Sequence, residues 1–301
     1  MTRSKPQVSI GLPVFNGGRY LAESLDGLLR QTYQDFELII CDNASTDRTE
    51  EICRDYAARD PRIRYVRSPT NLGAARNYGL SFELASGEYF KWSTCDDLCA
   101  PEFVARCAEV LDREPAVVLA YPRTKIINEH SEVVSDFDDG LHLQSDSPRE
   151  RFRQFLRRYR LSNAIYGLVR SRQLKHTALL GRYIGSDVNL MGELTLYGKF
   201  WEVPEYLFYR RFHPQASSSL KEVGQLQEFY DPKTRGHMAF TEWRHHVEYF
   251  RAVGRAPLNL QERMQLYGFL VRVGIWNRAK LLRELGHVAR QALRRSPMPR
   301  G

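Results

Sequence analysis

The strongest constraint on this chain is an alternation. Between residues 8 and 121, short apolar runs that suit buried strands take turns with segments of helical period, at intervals of roughly 25–30 residues. Val8–Leu12, held between Pro6 and Pro13, is the first such run, and Phe36–Cys41, Ile63–Arg67, Glu88–Ser93 and Val117–Tyr121 follow. Leu21, Leu25 and Leu28 mark a first helix reaching about Thr32. Asp47 with Glu50 three residues on resembles a capping box opening a second helix to about Arg59. Ala74–Leu84 and Phe103–Leu111 are the third and fourth. Strands and helices in this order build an α/β fold, a Rossmann-like and mostly parallel sheet with helices on both faces. Ligands of such sheets bind outside the carboxyl ends of the strands, where the strand order reverses.

Three strand ends carry groups suited to a ligand: Pro13-Val14-Phe15-Asn16, Asp42-Asn43, and Asp96-Asp97. The last belongs to WSTCDDLCAP, which follows the apolar-aromatic run Tyr89–Trp92. Two adjacent carboxylates repel, and neither is buried cheaply without a cation. A divalent metal on a phosphate supplies one, because hard oxygen ligands suit Mg²⁺ or Mn²⁺. The bland reading is a solvated turn before the helix that Pro101 opens. Neither GxGxxG nor GxxxxGK[ST] follows the first strand, which argues against a dinucleotide fold and a P-loop.

After residue 122 the pattern changes. Ile126–His130 reads as a strand and turn, and Pro148–Arg160 as a basic amphipathic helix whose arginines form a solvated face. Val188, Met191, Leu194 and Leu196 make a helical stripe, with Asp187 near its first turn, where a carboxylate also serves as a cap. Tyr206–His213 is a strand or turn ending in Arg210, Arg211 and His213. From about Lys221 only helices are expected: Asn259 and Glu262 form a capping box, and Leu281, Leu282, Leu285, Val288, Ala289 and Leu293 mark the last helix. The expected organisation is one domain over 1–220, made of two halves over 1–122 and 123–220, then a basic helical region over 221–301.

Charge is uneven. The chain has a net charge of +8, yet residues 251–301 alone hold 11 Lys+Arg and 2 Asp+Glu, which leaves 1–250 close to neutral. This tail, with Tyr267, Phe269 and Trp276, reads as a solvated helical bundle or as a surface for nucleic acid or an anionic membrane. Five cysteines without a CxxC pair argue against a disulfide framework or a zinc site and fit a reducing cytoplasm. No signal peptide is evident, and no apolar run approaches the roughly 18 residues of a membrane span. The expectation is a soluble cytoplasmic protein, with peripheral contact at the inner face of the membrane.

Three stretches resemble family 2 glycosyltransferases, inverting sugar transferases of the GT-A fold: VSIGLPVFNGGRYLAESLDGLLRQTYQDFELIICDNASTDRT, NLGAARNYGLSFELASGEYFKWSTCDDLCAPE, and SDVNLMGEL with VPEYLFYRRFH. They run in the family's order over about residues 6–215, and the last 80 or so residues match no pattern. The resemblance implies transfer of a sugar from a UDP-, GDP- or dTDP-sugar to a saccharide, lipid-linked or small-molecule acceptor, with Mn²⁺ or Mg²⁺. It implies that Pro13, Phe15 and Asn16 hold the nucleotide base, Phe15 by stacking, that Asp42 accepts the ring N–H with Asn43 beside it, and that Arg76 and Arg211 lie near the donor. The acidic motif D-x-D-D reads Thr94-Cys95-Asp96-Asp97 here, so its first acid is lost. Asp96 is expected at the ribose, Asp97 and His213 at the metal, and Asp187, in the place of the family's E-D pair, as general base. The chemistry agrees: a leaving diphosphate needs its charge stabilised, and an acceptor hydroxyl needs one carboxylate to take its proton. The alternatives are a sugar-nucleotide nucleotidyltransferase, with Gly17-Gly18-Arg19 as a weak phosphate loop, and a catalytically silent relative, suggested by Thr94.

Overall fold

The computed structural model describes residues 5–238 and 240–295, of which 291–295 by backbone alone. The side chains of Leu293, Arg294 and Arg295 lie outside the described residues. The first half is the expected alternation: β1 (Val8–Val14), α1 (Leu21–Leu29), β2 (Phe36–Asp42), α2 (Thr49–Arg59), β3 (Ile63–Arg67), α3 (Ala74–Glu83) and β4 (Tyr89–Trp92). These four strands are parallel in the order β3-β2-β1-β4. The chain steps outward from β1 to β3, then returns to the other side of β1, so the order reverses between β1 and β4. Strand β1 is buried throughout, which explains its unbroken apolar reading.

Next come β5 (Leu98–Cys99), α4 (Phe103–Arg113), β6 (Val117–Ile127), β7 (Val133–Phe137), α5 (Pro148–Arg158), β8 (Leu168–Arg170), α6 (Ser171–Leu174), α7 (Ser186–Tyr197) and β9 (Lys199–Arg211). They extend the sheet as β4-β8-β6-β9-β5. Strand β8 runs antiparallel to both neighbours, whereas β6 and β9 are parallel. Because β8 reaches only Leu119 and Ala120 of β6, the far end of β6 is left to pair with β7. The sheet is therefore parallel in its first half and mixed in its second.

Helices α8 (Val223–Tyr230), α9 (Thr241–Arg255), α10 (Leu260–Trp276) and α11 (Arg278–Arg295) complete the chain. Asn259 and Glu262 form the expected reciprocal capping box of α10. Two cores fill the sheet's surroundings, one from β1, β2, α1 and α4 and one from β4, β6, α5 and α7. A third joins Phe152 of α5 and Leu196 of α7 to Tyr249, Val253, Leu266 and Leu270 of α9 and α10.

Two local expectations are corrected. No capping box opens α2: Asp47 accepts from the N–H of Thr49 (3.0 Å) and of Gly18 (2.9 Å), while Glu50 is drawn to Arg54 and Arg67. Nor is every arginine of α5 solvated. Arg151 is buried and donates to the carbonyls of Thr195, Ser145 and Asp146, which fastens α5 to the end of α7.

Candidate active site

A cavity of about 650 Å³ opens where the carboxyl ends of β1, β4 and β9 meet. This is the point of reversed strand order, and the volume suits a nucleotide-sized ligand. The turn after β1 supplies Pro13, Phe15 and Asn16, and Asn43 comes from the end of β2. The turn after β4 supplies Thr94, Cys95, Asp96 and Asp97, and the end of β9 supplies Arg210, Arg211 and His213. Gln225, Glu228 and Phe229 of α8 close the opposite side.

Phe15 is 47% exposed, an unusual state for an apolar ring at a turn, and it offers a free face to a ligand. Asn16 bridges this turn to the loop after β2, accepting from the N–H of Thr46 at 2.8 Å. Asn43 is held by Asn71 and by the N–H of Leu72, which places its amide at the start of α3. The N–H groups of Gly17 and Gly18 are spent on Thr49 and Asp47, so this turn is no phosphate cradle and the nucleotidyltransferase reading loses its loop.

The paired acids part company. Asp97 is buried, and its oxygens accept from the Thr94 hydroxyl (2.7 Å) and the Arg211 N–H (2.8 Å). Burial, then the charge of Asp96, push its carboxyl up to about 7. Asp96 instead faces His213, Oδ2 to Nε2 at 3.0 Å, with the imidazole packed on Tyr20. Thr94, standing where the first acid of the motif is lost, therefore holds the buried acid in place. Beneath them Lys91 is fully buried and donates to the carbonyls of Trp92 and Tyr166, its ammonium 4.3 Å from the centre of the Phe103 ring. Burial lowers its pKa.

Several expected residues lie elsewhere than the resemblance implied. Asp42 is fully buried behind the wall, accepting from the Tyr65 hydroxyl (2.8 Å) and the Ser45 N–H (2.8 Å), with Arg67 at 3.3 Å. Arg76 is paired with Glu83 along α3 and does not line the cavity. Arg211 reaches the cavity lining but is buried and spent on protein partners: it binds Glu23, the Ser131 hydroxyl and the carbonyls of Asp96 and Asn128. Its neighbour Arg210 also lines the cavity, is less buried, and donates to Asn163. The sequence offers both arginines side by side, and nothing in YRRFH says which is spent on protein partners.

Asp187 stands in the first turn of α7, but Gly185, in the left-handed conformation, is the residue before that turn, and no side chain caps it. Its Oδ1 accepts from the Tyr230 hydroxyl at 3.2 Å. Tyr230 is the last residue of α8, and its neighbour Phe229 lines the cavity, whereas Asp187 itself does not. Among the described residues no group of three or more His, Cys, Asp or Glu side chains is arranged to hold a metal by itself.

Comparison with known proteins agrees with this fold. Residues 9–173, more than half of the chain, match the sequence profile of glycosyl transferase family 2. The glycosyltransferase GlyG of Streptococcus pneumoniae is 31% identical over 112 residues, which cover 37% of each chain. The match thus spans little more than a third of that relative. S. aureus TarS 1–349 in complex with UDP-GlcNAc superposes with a TM-score of 0.63 at 16% identity, over 94% of this chain and 80% of the other. The mannosyltransferase PcManGT from Pyrobaculum calidifontis, in complex with GDP-Man and Mn²⁺, gives 0.52 at 17% identity, over 98% and 77%. At these identities the likeness is one of fold.

Proposed function

Because the chain belongs to glycosyl transferase family 2, we propose that its cavity binds a nucleoside diphosphate sugar and that the sugar passes, with inversion, to an acceptor hydroxyl. The observation that carries this reading is the meeting at one strand-end cavity of an exposed aromatic ring, an acid–imidazole pair and an unburied arginine: Phe15, Asp96 with His213, and Arg210. The base stacks on Phe15 with the Asn43 amide beside it. Arg210 and His213 face the diphosphate. The donors named for the two structural neighbours, UDP-GlcNAc and GDP-Man, are of this class.

The residues fit a divalent cation in one arrangement. Asp96 and His213 offer an oxygen and a nitrogen 3.0 Å apart, and Mg²⁺ or Mn²⁺ at a phosphate site takes few protein ligands, the phosphates and water supplying the rest. Asp97, expected as the ligand, is buried and already accepts one bond on each oxygen, so we give the ligand role to the more exposed Asp96. When bound, the cation stabilises the charge developing on the leaving diphosphate. The protein's own groups position the donor, bring the Arg210 charge to the same oxygens, and take a proton from the acceptor.

Asp187 is the proposed general base. The Tyr230 hydroxyl already donates to its Oδ1 the bond that an acceptor hydroxyl would donate, and single displacement needs one such carboxylate. The acceptor is a saccharide, a lipid-linked sugar or a small molecule with a free hydroxyl that displaces Tyr230.

Calorimetric titration with nucleoside diphosphates and Mn²⁺ tests the donor reading. Phe15→Ala and Arg210→Met should each weaken binding about tenfold or more, and EDTA or Asp96→Ala should do the same; equal affinity in all of these would sink it. With donor and acceptor in hand, Asp187→Asn should lower turnover by about 10²–10⁴-fold while donor affinity stays the same. A fully active Asp187→Asn enzyme excludes Asp187 as the base.

A further inference from the structure

Helix α10 is apolar on two opposite sides. Leu266, Phe269 and Leu270 are buried against α9 and α5. Leu260, Met264, Val271 and Ile275 recur at i, i+4, i+11 and i+15, which places them on one line along the opposite side. They are 75%, 60%, 52% and 54% exposed. A helix apolar all round belongs in a core or against an apolar medium, and among the described residues no element covers this second side. Helix α11 adds to this exposed apolar surface: Leu281 and Val288 are buried, but Leu282 and Leu285 are 63% and 40% exposed. Trp276, at the junction of the two helices, is among the most exposed large side chains.

Charge identifies the occupant. Residues 251–301 carry 11 Lys+Arg against 2 Asp+Glu, and Arg272, Arg278, Arg283 and Arg290 are exposed on these helices. Two such faces repel each other, which disfavours a second copy. Nucleic acid would satisfy the arginines but has no use for a row of leucine, methionine, valine and isoleucine. We propose that the α10–α11 face docks on an anionic lipid surface, the aliphatic line entering the headgroup–acyl boundary and the arginines meeting lipid phosphates. No helix among the described residues is long and apolar enough to cross a membrane, so the contact is peripheral. The inference is independent of the catalytic reading, since none of these residues lines the donor cavity.

Vesicle flotation tests it, with phosphatidylcholine alone and with one part phosphatidylglycerol to two of phosphatidylcholine. The protein should float with the anionic vesicles at low salt and be released at high salt. The pair Val271→Ser with Ile275→Ser should lower partition by more than about tenfold. Arg283→Gln and Arg290→Gln should each lower it roughly fivefold. All four positions are exposed, so circular dichroism, melting and donor binding should match the parent. No flotation with anionic vesicles at low salt overturns the proposal, as does partition unchanged in both pairs of variants. A dimer dispersed by the serine pair, in protein that ignores vesicles, assigns the face to a second copy. Binding of single-stranded RNA that depends on the arginines alone, again without flotation, assigns it to nucleic acid.

Discussion

Asp97 is ionised at a cost. Its oxygens have only a hydroxyl and one backbone N–H for company, and burial together with Asp96 lifts the carboxyl to about 7 against the pull of Arg210. A carboxyl raised on folding, from about 4 in the unfolded chain, favours the folded state in its neutral form. Its contribution is complete below pH 4 and is lost as pH rises from about 4 to about 7, by up to about 4 kcal/mol. Asp97→Asn keeps the shape, with its carbonyl on the Arg211 N–H and its amide on Thr94. The free variant should therefore melt higher than the parent at pH 8 and level with it near pH 4; melting curves across that range decide, and a constant difference rules out the ionisation. At this scale the sequence was partly legible. Pro13, Phe15, Asn16, Asn43, Asp96 and His213 line one cavity because parallel strands bring their carboxyl ends to one place. That Asp42 sits behind the wall is not legible, because a side chain at a strand end faces the cavity or turns from it according to the pleat, and only the three-dimensional register says which. The α8 side chains, Phe229 among them, carried no signal beyond helical period.

Among the elements, α3 and α8 meet at a point that only glycine fits. Gly73 precedes α3 with φ of +80° and ψ of 157°, and a Cβ there would lie 2.6 Å from the Tyr230 carbonyl oxygen and 2.8 Å from Pro232 Cδ. That backbone region is all but closed to other residues, at a cost of about 1–3 kcal/mol, and the clash adds to it. Gly73→Ala should lower the melting temperature and push the end of α8 off α3, loosening the Tyr230–Asp187 bond. Hydrogen exchange over residues 223–234 should quicken in this variant; exchange that stays the same would mean that α8 does not rest on Gly73. The contrast between two helix starts shows what local sequence can say. Asn259 and Glu262 cap α10 reciprocally, as their spacing announces. Asp47 and Glu50 have the same spacing, but stronger partners intervene, Gly18 for one and the arginines at 54 and 67 for the other. Spacing predicts a cap only where no tertiary partner competes.

At the scale of the whole molecule, the C-terminal helices are part of the fold that carries Asp187. Glu193 of α7, almost fully buried, is held by Arg255 of α9 through two bonds of 2.9 Å. Phe152 and Leu196 are sealed by α9 and α10. Each large apolar side chain uncovered costs about 1.5–3 kcal/mol, and a buried carboxylate stripped of its arginine costs about 3 kcal/mol more. Deleting residues 241–301 should therefore leave a chain that does not fold stably, and the intact protein should melt in one calorimetric transition; two separated transitions would show the helices to be a domain apart. This union is not legible from residue order, because a helix stripe states that it is buried but not against what. The same union sets an order of events during synthesis. A growing chain can pair β1 to β4 as soon as they leave the ribosome, since their crossovers are short. Helices α5 and α7 must wait, for Phe152 and Leu196 find Leu266 and Leu270 only once α10 has emerged. Until then a nascent chain exposes an apolar surface beside a carboxylate without its cation, and it is in that interval that a chaperone would find the most to bind.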